Sequence, residues 1–218
     1  MAVEELLLYF VVIPSMAYAG GAIWVRRSMR RVAEHELGFL REPGISTRYL
    51  VIVQVFATPV IYGLLVLFLL LGIPEGGTIH DDVVRYLGWA FATGAAFTVY
   101  AQASILVRWR ASSFRENFTR VLVLATLPEV VILLVVLVAF QIVARLNRVL
   151  TIDELLALGR ASGWMLAGTM SAPLSANLAN GVGVLTGKTF IRALLRASAG
   201  TLIVLVCTVF ALLELASV

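Results

Sequence analysis

One acidic residue stands deep inside an apolar run. Glu129 follows Leu127-Pro128 and heads the stretch EVVILLVVLVAFQI, with no Lys or Arg within six residues on either side. It lies nine residues past Arg120, about 13 Å at the helical rise of about 1.5 Å per residue. A carboxylate at such depth costs about 2.5–3.5 kcal/mol or more unless it is neutralised, paired or solvated, so it points to the handling of a proton or cation. The other acids of the apolar segments sit at their ends. Glu214 reaches water by snorkelling, and Asp153 and Glu154, with Arg160, belong to the outer edge of the fifth run. Thr58 and Tyr62 are four residues apart and share a helix face. Gln102 precedes Glu129 by 27 residues, near the end of the third run.

Three other groupings lead nowhere. Gly187-Lys188-Thr189 imitates the end of a phosphate-binding loop, but Val182 stands where the earlier glycine is required and no strand precedes it. His35 and His80 are too isolated for a metal site. Cys207 is the one cysteine, so no intrachain disulfide forms, and it reads as a small packing residue. No catalytic site, cofactor or resident metal is expected.

The elements that must hold Glu129 follow from composition. Of 218 residues 61% are hydrophobic and 14% charged, with a mean hydropathy of +0.97, which places the chain among integral membrane proteins. Six apolar stretches are long enough to cross a bilayer as helices, near 5–25, 49–73, 83–107, 121–144, 155–179 and 194–216. The first lacks a basic leading region and a cleavage site before a soluble domain, so it reads as a retained helix. Thirteen of the seventeen Lys and Arg lie in or beside three connections. These are Arg26, Arg27, Arg30, Arg31, Arg41 and Arg48; Arg108, Arg110, Arg115 and Arg120; and Lys188, Arg192 and Arg196. The positive-inside rule puts these connections in the cytoplasm and both termini outside. The net charge of +4 therefore reports topology, not nucleic-acid binding. The 26–48 connection holds a short amphipathic stretch suited to a partner or to the membrane surface.

Arg48, Arg120 and Arg192 are each 72 residues apart, and the same period superposes Leu50, Leu122 and Leu194. The sequence thus predicts an all-α membrane protein of three helical hairpins, 1–76, 77–148 and 149–218. At this period Glu129 aligns with Ala57 and Thr201, so the acid occurs once in three equivalent places. The first helices of the second and third hairpins carry small residues four apart, Gly88, Ala92 and Ala96 and then Gly168, Ala172 and Ala176. Such ladders let backbones approach closely in lipid, whereas the second helices are Leu, Val and Ile on most sides. That contrast predicts a tightly packed inner layer and a bulky, lipid-facing outer one.

The second helices resemble the outer helices of the proteolipid (c/K) subunit of V-type and archaeal A-type rotary ATPases. Leu127-Pro128-Glu129 matches that family's acid motif, and Ala57-Thr58-Pro59-Val60-Ile61-Tyr62-Gly63-Leu64 matches the surrounding Ile-Tyr-Gly-Leu pattern with alanine in place of the acid. The match spans the chain as three hairpins, is specific around 54–66 and 120–141, and is weak in the third. The resemblance implies that Glu129 carries the ion, that Tyr62 hydrogen-bonds the closed acid, and that Thr58 and Gln102 stand at ligand positions. Sodium-binding relatives have glutamine after the threonine, where this chain has Pro59. The missing ligand favours H+ over Na+. The resemblance further implies a two-layered ring of this chain, alone or with related subunits, embedded in lipid. That ring would turn against a stator subunit that supplies an arginine, with central-stalk subunits docked at Arg26, Arg27, Arg30, Arg31, Arg108, Arg110 and Arg115. One acid per three hairpins means fewer ions per turn, and leans toward an ATP-driven pump. Two rivals remain: a secondary transporter or channel with Glu129 as proton relay, which predicts converging polar groups and broken helices, and a structural subunit without ion chemistry. Apart from Pro59, Pro128 and Pro173, the spans read as unbroken.

Overall fold

The computed structural model describes residues 3–35, 43–73, 78–108, 118–182 and 187–217. They form helices joined by turns, bends and a short irregular stretch at 149–151, with no strand among the described residues. In chain order the helices are α1 (Val3–Leu7), a π-helical segment (Leu8–Val12), α2 (Ile13–His35), α3 (Pro43–Leu71), α4 (Thr78–Arg108), α5 (Phe118–Thr126), α6 (Glu129–Leu146), α7 (Ile152–Gly168), α8 (Ser171–Asn180) and α9 (Gly187–Ala216). Five spans are long and apolar enough to cross a membrane: Val3–Ser28, Gln54–Leu71, Asp81–Arg108, Phe118–Leu146 and Lys188–Ala216. The expected fifth span, 155–179, is present as two shorter helices, α7 and α8, separated by a turn at Thr169 and Met170.

The helices pack in two rows. In one row α2 lies against α4, and α4 against α7 and α8. In the other, α6 lies between α3 and α9. Each span also packs on the next in sequence across the rows, most extensively α9 on α7 and α8. The central α4 is the most enclosed span, with 67% of its apolar window buried. Its small residues account for that. A β-carbon at Gly88 would meet the Tyr9 ring at 2.6 Å, and one at Gly94 would meet Thr169 at 3.2 Å and Ile132 at 3.4 Å. Bulky side chains face outward from the other row, such as Phe68, Leu65, Leu202 and Val209.

Prolines interrupt the rods unequally. A proline lacks the N–H that the carbonyl four residues earlier would accept, and its ring crowds that carbonyl. Pro14 follows the π-helical segment, Pro128 sits in a turn between α5 and α6, and Pro173 follows the turn between α7 and α8. Pro59 stays within the continuous α3. The chain is therefore more broken than its hydropathy implies. Phe10, whose carbonyl Pro14 deprives of a helical donor, has that carbonyl directly beside Gly63, where any β-carbon would collide with it. At Gly200 a β-carbon would lie 2.5 Å from the Ser175 α-carbon, so α9 and α8 touch backbone to backbone.

The ends of α4, α6, α7 and α9 away from the basic connections are tied by polar contacts. Arg85 meets Asp82 at 3.1 Å and Glu5 at 3.6 Å, Arg148 meets Glu154 at 3.0 Å, and Arg160 meets Glu214 at 2.9 Å. Arg145 donates to the Leu215 carbonyl at 3.2 Å, covering the end of α9. Exposed pairs of this kind contribute only about 0–1 kcal/mol each, so they orient the ends more than they stabilise them. Thr151 caps α7 in a reciprocal box with Glu154: its backbone N–H donates to the carboxylate at 2.7 Å, and its hydroxyl accepts from the Glu154 N–H at 3.3 Å. These bonds from Thr151, backbone first and then hydroxyl, hold the Glu154 carboxyl below the usual carboxylate range.

Candidate ion-binding site

Glu129 is the first residue of α6, directly after the Leu127-Pro128 turn. The turn is closed by short-range bonds, Val130 N–H to the Leu127 carbonyl and Val131 N–H to the Pro128 carbonyl, both 3.1 Å. The helix therefore restarts at the acid, with Glu129 in its first turn, where the positive end of the helix dipole favours a carboxylate. The α3 helix packs against α6 and brings the Thr58 hydroxyl within reach of the Glu129 carboxylate. One turn further along α3, the Tyr62 phenol lies close enough to feel the Glu129 charge. All three side chains are half-buried.

The inner wall comes from α4. Thr98 is fully buried and its hydroxyl donates to the Pro128 carbonyl at 3.4 Å, a long contact that reaches the turn itself. Sequence reading passed over Thr98, although it lies one turn from Gln102 on the same helix face. Gln102 is also fully buried, and neither its amide nitrogen nor its amide oxygen has a hydrogen-bond partner. A buried amide left unpaired is costly, on the order of 1–3 kcal/mol per group. α4 runs antiparallel to the fourth span, and Thr98 meets Pro128. One turn on, Gln102 therefore stands near the level of Leu124, whose carbonyl loses its helical donor to Pro128. The unpaired Gln102 amide thus stands on the Arg120 side of the break.

Of the four residues expected at the site, Thr58 lies within reach of Glu129 and Tyr62 close enough to sense its charge, whereas the Gln102 amide on α4 has no hydrogen-bond partner among the described residues. The aligned positions are chemically different. Thr201 is buried, and its hydroxyl donates to the Ser198 carbonyl of its own helix at 2.7 Å. Ala57 is half-buried on α3. Among the expected docking residues, Arg26 and Arg27 are exposed within α2 and Arg108 is exposed at the end of α4. Arg110 and Arg115 lie outside the described residues, as do the side chains of Arg30 and Arg31, whose backbones are in α2.

No family model, no curated protein and no solved structure matches the chain. The class of protein therefore rests on the site and the membrane-spanning helices alone.

Proposed function

We propose that the chain is a rotor-ring subunit of a V/A-type rotary ATPase that carries H+ across the membrane on Glu129. The observation that carries the reading is the packing of α3 on α6, which brings Thr58 within reach of Glu129, with Tyr62 one turn away. A neutral carboxyl needs only one or two hydrogen-bond partners to cross lipid, and these supply them. On this reading the acid gives up its proton opposite a stator arginine near an aqueous half-channel and reloads after rotation. The two-row packing supports the reading, because such a slab can be repeated edge to edge into a two-layered ring of this chain, alone or with related subunits. The basic connections then face the cytoplasm, where a central stalk docks, and both termini lie outside. Na+ remains the second ion of this machine, since the unpaired Gln102 amide beside the site is an oxygen ligand in waiting.

Replacing Glu129 with Gln in purified, reconstituted protein should abolish coupled ion movement and labelling by a hydrophobic carbodiimide. Transport that continues unchanged sinks the proposal. Protection of Glu129 from the label by Na+, but not by K+, reassigns the ion.

A second reading is favoured by one specific observation. The turns at 127–128 and 169–170 break two spans, as in transporters whose sites are built from discontinuous helices. In that case Glu129 is a proton relay within a monomeric bundle. Imaging of the isolated protein separates the two, a closed ring for the rotor and a single bundle for the transporter.

A further inference from the structure

The third basic connection is left without a role by the ion chemistry, and its charge is unbalanced. The first connection mixes its cations with Glu34, Glu36 and Glu42, and the second carries Glu116. No Asp or Glu occurs between Glu154 and Glu214. Lys188, Arg192 and Arg196 are spaced i, i+4 and i+8 along α9, so they form one ladder with about 5–6 Å between successive β-carbons. All three are exposed. The four arginines at the opposite ends of the spans each have an acidic or carbonyl partner. Among the described residues only Arg196 has one here, reaching the Gly181 carbonyl at 3.4 Å where α8 ends.

We propose that Lys188, Arg192 and Arg196 bind the phosphate of an anionic phospholipid. The ladder occupies the first three turns of a 30-residue helix, whose N-terminal dipole adds to its attraction for an anion. The ladder lies within Lys188–Ala216, the span long and apolar enough to cross a membrane, and not beyond its end as a protein-docking tip would. Ile191 (57% exposed) and Leu195 (65%) alternate with the cations, and the apolar stripe continues through Leu202 (57%) and Val206 (53%). A soluble partner covering the cations would bury those side chains only by entering the membrane. A phospholipid satisfies both parts at once, with its phosphate on the ladder and an acyl chain along the stripe. Juxtamembrane cations gain from anionic lipid individually and roughly additively. The inference is independent of the rotor reading, because it uses neither Glu129 nor a ring.

The test counts lipids bound to the purified full-length chain in neutral detergent by native mass spectrometry, with dioleoyl phosphatidylglycerol or phosphatidylcholine added. Phosphatidylglycerol should be retained in preference. The double variant Lys188→Gln/Arg192→Gln should bind it roughly 30-fold more weakly, while Arg26→Gln/Arg27→Gln binds as the parent does. Arg196 is left in place because it also covers the end of α8. If the Gln variant fails to fold, Lys188→Arg/Arg192→Lys should fold and keep the preference; loss of preference in that folded variant counts against the site. Equal retention of the two lipids overturns the proposal, as does an equal loss in the Arg26/Arg27 variant. Competition by inorganic phosphate as strong as that by the lipid makes the ladder a soluble-anion site and overturns the lipid assignment.

Discussion

Glu129 and Thr201 are 72 residues apart, on two spans of the same row, and their surroundings differ chemically. Around Glu129, α3 offers Thr58 and Tyr62. The residues 72 positions after those two are Val130 and Leu134, on the span next to Thr201, and neither carries a polar group. Another 72 positions on stand Leu202 and Val206, on the exposed surface of α9. Acid and partners are thus present together once and absent together elsewhere. A lost carboxylate alone would leave its hydrogen-bonding partners behind. On the 72-residue register the whole set differs, so the contrast is between one polar cluster at 129 and two positions that lack both acid and partners.

The sharpest way to break that contrast is to put an acid where the partners are missing. Thr201→Glu should destabilise the protein by about 3 kcal/mol, and adding Val130→Thr and Leu134→Tyr should recover a large part of the loss. Thermal unfolding in detergent measures both; a Thr201→Glu variant as stable as the parent means that partners are not needed. Gly63→Ala tests the α3 side, since the new methyl group meets the Phe10 carbonyl. Overpacking of about 1–3 kcal/mol is expected, with slower carbodiimide labelling of Glu129 because Tyr62 moves with its neighbour. Thr98→Val removes the hydroxyl that reaches Pro128 and should cost about 1 kcal/mol. Thr98→Ser should restore the unfolding midpoint, and a Ser variant as weak as the Val one would assign the effect to packing.

The smallest effect is a control at the far rim. Thr151→Ala opens the α7 capping box and should lower the midpoint by roughly 2–4 °C without altering Glu129 labelling. Because the Glu154 carboxyl is held below its unfolded value, its contribution is full above the unfolded-state value and is lost as pH falls through the folded-state one. An acid-side loss of stability should therefore shrink in Thr151→Ala, and stability curves measured against pH would detect it.

Much of this was readable from residue order. Five of the six apolar stretches are present within helices long enough to span a membrane, and the i, i+4 spacing of Thr58 and Tyr62 puts both on one face of α3. The breaks were not readable. Pro59, Pro128 and Pro173 carry the same local penalty, yet α3 stays continuous while the other two spans part. Tertiary partners decide such cases: at 127–128 the Thr98 hydroxyl meets a carbonyl of the turn, and that donor comes from 30 residues away. Thr98 was overlooked for the same reason, since a threonine among small residues on an enclosed helix has no local signature of its partner.

The turn at 127–128 also has a mechanical meaning. A continuous helix transmits twist from one end to the other through its ladder of four-residue bonds. At this point the ladder is replaced by two three-residue bonds and a residue without an N–H. The span is consequently two rods on a swivel, with the acid on the first residue of the second rod. Glu129 can change its heading while the Arg120 half of the span stays anchored, so compliance is placed at the carboxylate and stiffness in the rod before it.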